Sequence, residues 1–159
     1  MAAEAPILDE LHRLRARIPQ LTGSLAASVD GLVVAEDTPG VEPEGVAALT
    51  AAALGVAVRL TDATGRGELR ELLFRGRDGY VATYAAGEGA VLTLLARDDV
   101  SVGRLHLEGR RAATRIGELV DGLTADSRPR TPTRAPARAK VPRDRRTPST
   151  TPPRTTTES

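Results

Sequence analysis

The chain has no cysteine and no tryptophan, and its 159 residues include only three aromatic side chains, Phe74, Tyr80 and Tyr84. Without cysteine there is no disulfide scaffold, no thiolate-ligated zinc and no thiol nucleophile. Hydrophobic residues make up 40% and aromatics 2%, so any core must be built from Leu, Val and Ala. That apolar content suffices for one domain, the number this length suggests. Of the 22 basic side chains only Lys140 is a lysine, a compositional bias rather than a physical signal. Long apolar runs are also missing, and no stretch is expected to supply the roughly 20 apolar residues a bilayer crossing needs. Residues 1–18 carry acids and no signal-like apolar run. A cytoplasmic protein is the expectation.

The net charge of +1 conceals two segments of opposite sign. Residues 1–123 hold 13 basic and 18 acidic side chains, a balance of −5. Residues 124–159 hold 9 basic and 3 acidic side chains, a balance of +6, with seven of the 11 prolines. Val141 is the only large aliphatic residue there, too little apolar surface to offset the entropy of ordering. The division expected is a folded domain at 6–123 and a disordered basic tail rich in Pro, Thr and Arg at 124–159. A solubilising role is the plain reading of that tail. Its charge also suits an anionic membrane or nucleic acid, but no aromatic is interleaved for base stacking, so no specific nucleic-acid partner is expected. Thr131, Thr147 and Thr151 each precede proline and are candidate phosphoacceptors.

Periodicity organises the rest. Pro6 suits a helix first turn, and Ile7, Leu11, Leu14 and Ile18 then recur at helical spacing until Pro19. Short apolar runs at 23–29 and 32–35 flank Asp30-Gly31, a pair favoured in two-residue hairpin turns. A strand is predicted over 68–75, with Arg77-Asp78-Gly79 turning the chain into an alternating run at 80–85. Gly87-Glu88-Gly89 leads into 90–96, where Val91, Leu92, Leu94 and Leu95 read as a strand buried on both faces. Asp98, Asp99 and Ser101 supply helix-start chemistry for a last helix to Leu123. Leu105, Ala112, Ile116, Leu119 and Leu123 line its buried stripe. The order is α-β-β-α-β-β-β-α.

The helix predicted at 44–61 is apolar on two sides. Val46, Leu49, Ala53, Val56 and Leu60 fall on one stripe at 100° per residue, and Ala47, Ala51, Leu54 and Val58 on another. A helix apolar on two faces must be buried on two faces. One stripe is expected to meet the sheet and the other a partner; Ala47, Ala51, Leu54 and Val58 are assigned to the partner.

No catalytic chemistry assembles from these residues. His12 and His106 lack a second ligand at metal spacing. Gly65-Arg66-Gly67 and Gly87-Glu88-Gly89 do not continue as phosphate-binding loops. Asp98 and Asp99 read as helix-start charges rather than an acid–base pair. Arg66, Arg70, Arg75 and Arg77 are candidate arginine fingers by exposure alone. No enzyme activity, cofactor or metal is expected.

Three stretches together resemble the Roadblock family, the dynein-light-chain Roadblock and MglB-like domains of actinobacterial type. They are Ile18-Pro19-Gln20-Leu21-Thr22-Gly23 with the strand-turn-strand at 27–35, the Ala/Leu helix at 46–60, and 67–90 with its two glycine turns. Gln20 stands where many members carry Gly. The resemblance implies an α+β fold in which a five-stranded antiparallel sheet lies between helices. It also implies a homodimer formed through the second helix and an adjacent strand edge. The implied function is that of a non-enzymatic adaptor or regulator of a small Ras-like GTPase, accompanied in some bacteria by a sensor-kinase-like protein.

Overall fold

The described residues form eight elements in the predicted order: α1 (Glu4–Arg17), β1 (Leu21–Ser28), β2 (Val33–Asp37), α2 (Pro43–Ala63), β3 (Glu71–Arg75), β4 (Gly79–Ala86), β5 (Ala90–Arg97) and α3 (Val102–Asp126). The structure is a computed structural model and describes residues 4–126. The expectation of disorder for the basic tail falls outside those residues beyond Asp126, and α3 itself runs past Leu123.

The five strands form one antiparallel sheet in the order β2-β1-β5-β4-β3. Strand side chains alternate between faces, and that alternation separates two cores. Ala26, Leu92, Leu94, Ala82 and Tyr84 point to one face, where Ile7, Leu11 and Leu14 of α1 and Leu105, Ala112 and Ile116 of α3 cover them. Leu25 and Ala27 point to the other, where Ala47 of α2 meets them. β5 is buried along nearly its whole length, because it is central in the sheet and sandwiched between helices.

The element ends follow local chemistry. Pro43 opens α2, and the Glu42 carboxylate accepts a 2.7 Å hydrogen bond from the Gly45 N–H. At the start of α3 the Ser101 carbonyl accepts from Leu105 N–H at 2.9 Å. The first hairpin departs from the two-residue turn expected at Asp30-Gly31. Ser28 N–H donates to the Leu32 carbonyl at 2.8 Å, and Gly31 N–H donates to the Ser28 carbonyl at 2.9 Å. The loop is therefore Val29-Asp30-Gly31, with Gly31 at φ +83°. That is the three-residue hairpin, whose last loop residue needs the left-handed conformation.

Two further differences concern lengths. β3 begins at Glu71 rather than at 68. α2, at 21 residues, is long and apolar enough by length and composition to cross a membrane, which corrects the expectation that no segment is. In the fold it lies along the sheet against β1, β2, β4 and β5.

Candidate partner interface

α2 covers only part of its sheet face, and the stripe it turns inward differs from both that periodicity suggested. Ala47, Thr50, Leu54 and Ala57 are its buried residues. Thr50 is tolerated because its hydroxyl donates to the Val46 carbonyl one turn back, at 2.8 Å. Of the four residues assigned to a partner, Ala47 is fully buried and Leu54 is 8% exposed, both inside the protomer; Ala51 is half-buried and Val58 exposed. The most exposed large apolar side chains of α2 are Leu49 (72% exposed), Val56 (67%) and Leu60 (62%). All three belong to the stripe opposite those four. Both stripes are apolar, so periodicity alone carries no sign that tells them apart.

That outward stripe borders an open groove. Val46, Leu49, Thr50 and Ala53 form one wall, and Phe74 of β3, Val81 of β4 and Leu95 of β5 form the other. Phe74 is exposed on β3, one of the two edge strands of the sheet. Contiguous exposed apolar surface of this kind is characteristic of interaction sites.

The opposite face of β3 carries a polar cluster. Glu71 receives a two-pronged hydrogen bond from Arg110 of α3, Nε at 2.9 Å and Nη2 beside it. His106 Nδ1 stands 4.0 Å from Glu71 and 3.0 Å from the Tyr84 hydroxyl oxygen, which also lies 3.3 Å from the Leu105 carbonyl oxygen. The Arg110 guanidinium holds the Glu71 carboxyl below the usual carboxylate range. Burial, reinforced by the charge of Glu71, pushes the Tyr84 phenol above its ordinary value. The cluster draws on β3, β4 and α3, and nothing in local spacing announces it.

A second network joins α1 to α3. Glu10 is 2% exposed, with Arg13 at 3.2 Å, Arg17 at 3.8 Å and Arg115 at 2.7 Å. Arg17 also reaches Glu108 at 3.4 Å. At the far edge Arg15 Nε meets the Asp37 carboxylate at 2.7 Å and ties α1 to β2. These pairs bind elements together.

The remaining candidates lie apart. His12 is exposed on α1, far in sequence and element from half-buried His106. Asp99 pairs with Arg97 through both carboxylate oxygens, and its pKa is lowered by that hydrogen bond. Arg66, Arg70, Arg75 and Arg77 are all exposed, and Arg75 sits over the Tyr80 ring at 5.7 Å. Among the described residues no group of three or more His, Cys, Asp or Glu is placed to hold a metal ion.

Comparison with known proteins agrees with this architecture. Among solved structures, MglB in a tetrameric arrangement superimposes with a TM-score of 0.71 at 21% identity, covering 77% of this chain and 93% of that one. The gliding protein MglB of Thermus thermophilus gives 0.70 at 20% identity over the same shares. A Roadblock/LC7 domain of Streptomyces avermitilis gives 0.66 at 21% identity, covering 72% of this chain and 97% of that one. In sequence, two uncharacterized proteins of Methanocaldococcus jannaschii are each 36% identical over 97 residues, 60% of this chain and 84% of theirs. The Roadblock/LC7 domain model matches residues 7–96, which run from α1 to the end of β5. The chain belongs to the Roadblock/LC7 domain family.

Proposed function

We propose that this chain is a non-enzymatic, homodimeric adaptor that regulates a small Ras-like GTPase in the cytoplasm. The observation that carries the reading is the uncovered apolar surface of α2 and β3, formed by Leu49, Val56, Leu60 and Phe74 on a Roadblock/LC7 fold. Exposed apolar surface of this extent is costly in water unless another surface covers it. Its position beside the open edge of the sheet suits a second copy of the chain. The description of one structural neighbour, MglB, as tetrameric is in keeping with self-association. A GTPase would then dock across the composite surface of the dimer, burying on the order of 1,200–2,000 Å² in total.

The test uses the purified full-length chain as bait in lysate of its source organism. Salt is raised to weaken capture by the basic tail, with GDP in one arm and a non-hydrolysable GTP analogue in the other. Mass spectrometry showing a Ras-like GTPase enriched in one arm is the expected result. Equal recovery in both arms replaces the regulator with a nucleotide-blind scaffold. Recovery of no GTPase, or capture that disappears at high salt, overturns the proposal.

A further inference from the structure

The outer face of α1 and α3 lies across the sheet from α2, and its charge is arranged in depth. Glu10 sits beneath Arg13, Arg17 and Arg115, at 3.2, 3.8 and 2.7 Å. Glu108 sits beneath Arg17 and Arg111, at 3.4 and 3.5 Å. The two carboxylates keep only 2% and 13% of their side-chain surface in water, whereas the four guanidiniums keep between 38% and 61%. Two buried acids therefore hold four arginines in place and leave them turned outward.

Arg104 adds a fifth. It is exposed in the first turn of α3, a turn without an acid, where a cation opposes the helix dipole. Steps of three and four residues carry one stripe from Arg104 through Leu107 to Arg111 and Arg115. Leu107 is an exposed apolar side chain in the middle of these cations.

The flanks do not cancel the excess. With the pairs Arg15–Asp37 and Arg110–Glu71 and the turn Arg97-Asp98-Asp99 included, this end of the domain holds 8 basic and 6 acidic side chains, a balance of +2. The rest of residues 1–123 holds 5 basic and 12 acidic side chains, a balance of −7. Those acids lie elsewhere. Asp9 and Glu118 line a cleft at the other end of the helix pair, and Glu42, Glu44 and Asp62 stand at the ends of α2. Seven residues of helix, about 10 Å, separate Arg111 from Glu118, and the sheet separates the arginines from α2. Both separations exceed the Debye length of about 8 Å at physiological salt. A partner at the arginine end therefore meets chiefly the positive field of that end.

We propose that this end of the α1/α3 face docks on an anionic membrane surface, with its arginines on lipid phosphates and Leu107 entering the headgroup region. Charge complementarity sets the sign of the partner, and Leu107 sets its kind. A leucine amid cations finds an apolar destination at the boundary of headgroups and acyl chains, which a nucleic-acid backbone does not offer. Guanidiniums already held by Glu10 and Glu108 lose little side-chain freedom on contact, and their planar forks suit phosphate. The apolar surface of α2 and β3 stays free on the opposite face, so this docking is independent of the homodimer reading.

The test sediments the full chain with vesicles of phosphatidylcholine alone and of phosphatidylcholine mixed with phosphatidylglycerol. Binding to the mixed vesicles only, weakening as salt rises, is the expected result. Arg104→Gln combined with Arg111→Gln should weaken it at least about tenfold, and Leu107→Ser should weaken it several-fold with no change in charge. Arg59→Gln, on α2, should leave it unchanged. The basic tail is intact in every variant, so its own attraction cancels from these ratios. All four positions are exposed, and circular dichroism checks that each variant folds. If the mixed vesicles capture no protein, or phosphatidylcholine alone captures as much, the proposal is overturned. Undiminished binding by the double variant, or equal weakening by Arg59→Gln, assigns the contact to the tail or to net charge and overturns it as well. Full binding by Leu107→Ser, with a short DNA duplex displacing the vesicles, replaces the membrane with a nucleic acid.

Discussion

The ring of Tyr84 occupies the space that a side chain on residue 109 would need. A Cβ placed on Gly109 would lie 2.5 Å from Tyr84 Cζ and 2.9 Å from its hydroxyl oxygen. Gly109 faces the sheet from α3, and its lack of a side chain lets the largest fully buried residue of the protein fit beneath the helix. Gly109→Ala therefore costs stability despite alanine's better helix propensity, by about 1–3 kcal/mol as an overpacked core site. Gly122→Ala, in the same helix with open space around it, gains about 0.5–1 kcal/mol from propensity. Urea unfolding of the two variants, at one protein concentration, should move in opposite directions.

Leu49→Arg and Leu54→Arg separate the two roles of α2. Leu49 is 72% exposed and Leu54 8%. An arginine at 49 leaves the protomer's circular dichroism and fold intact, because surface substitutions usually stay within about 0.5 kcal/mol, yet it halves the mass measured by light scattering. An arginine at 54 puts an unpaired charge between helix and sheet, and the chain fails to fold rather than merely dissociating. A dimer unaffected by Leu49→Arg would place the interface elsewhere.

Glu71 gives stability a definite acid dependence. Its folded pKa lies below the ordinary carboxylate value of 4.5, chiefly through the Arg110 hydrogen bond. The unfolded chain therefore binds the proton more readily, so the contribution is complete above that value and disappears as pH falls through the folded pKa. Glu71→Gln should lower the urea midpoint at neutral pH and flatten its decline as pH falls below the ordinary carboxylate value of 4.5. An equally steep decline in the variant would assign the acid sensitivity to other carboxylates.

The buried Glu10 predicts a loss that is moderate rather than catastrophic. Its partners Arg13, Arg17 and Arg115 keep 61%, 38% and 42% of their side-chain surface in water. When Glu10→Gln removes the charge, Arg13 stays largely in water and the glutamine carbonyl remains as an acceptor beside the buried Nη2 of Arg115, so about 1.5–3 kcal/mol is expected, the value of hydrogen bonds to a charged group. Glu10→Leu should cost more than Glu10→Gln, since it leaves the buried Arg115 Nη2 with neither charge nor acceptor beside it. The comparison is again by denaturant midpoint.

Much of this architecture is legible in the chain. The stripe Ile7, Leu11, Leu14 and Ile18, the glycine turns and the doubly buried β5 are local patterns, and local patterns survive into the fold. What escapes are decisions that involve distant residues. Glu10 reads as one more charge on an amphipathic helix until α3 brings Arg115 against it. His106 reads as a lone surface imidazole until β4 sets Tyr84 beside it. The inward side of α2 depends on which of two apolar stripes matches the relief of the sheet. Ala47, Thr50 and Ala57 fit there with Leu54 as the one bulky residue, while Leu49, Val56, Val58 and Leu60 are left outside.

The position of β5 between β1 and β4 bears on how the chain is made. The first hairpin, β1 with β2, and the second, β3 with β4, share no ladder; β5 joins them, pairing Leu25 with Thr93 on one side and Val81 with Leu95 on the other. On the ribosome both hairpins and the apolar helix α2 emerge before the strand that unites them. Contacts so distant in sequence are slow to close. Through that interval the nascent chain exposes an unroofed α2 and two open sheet edges, the period in which it depends most on chaperones.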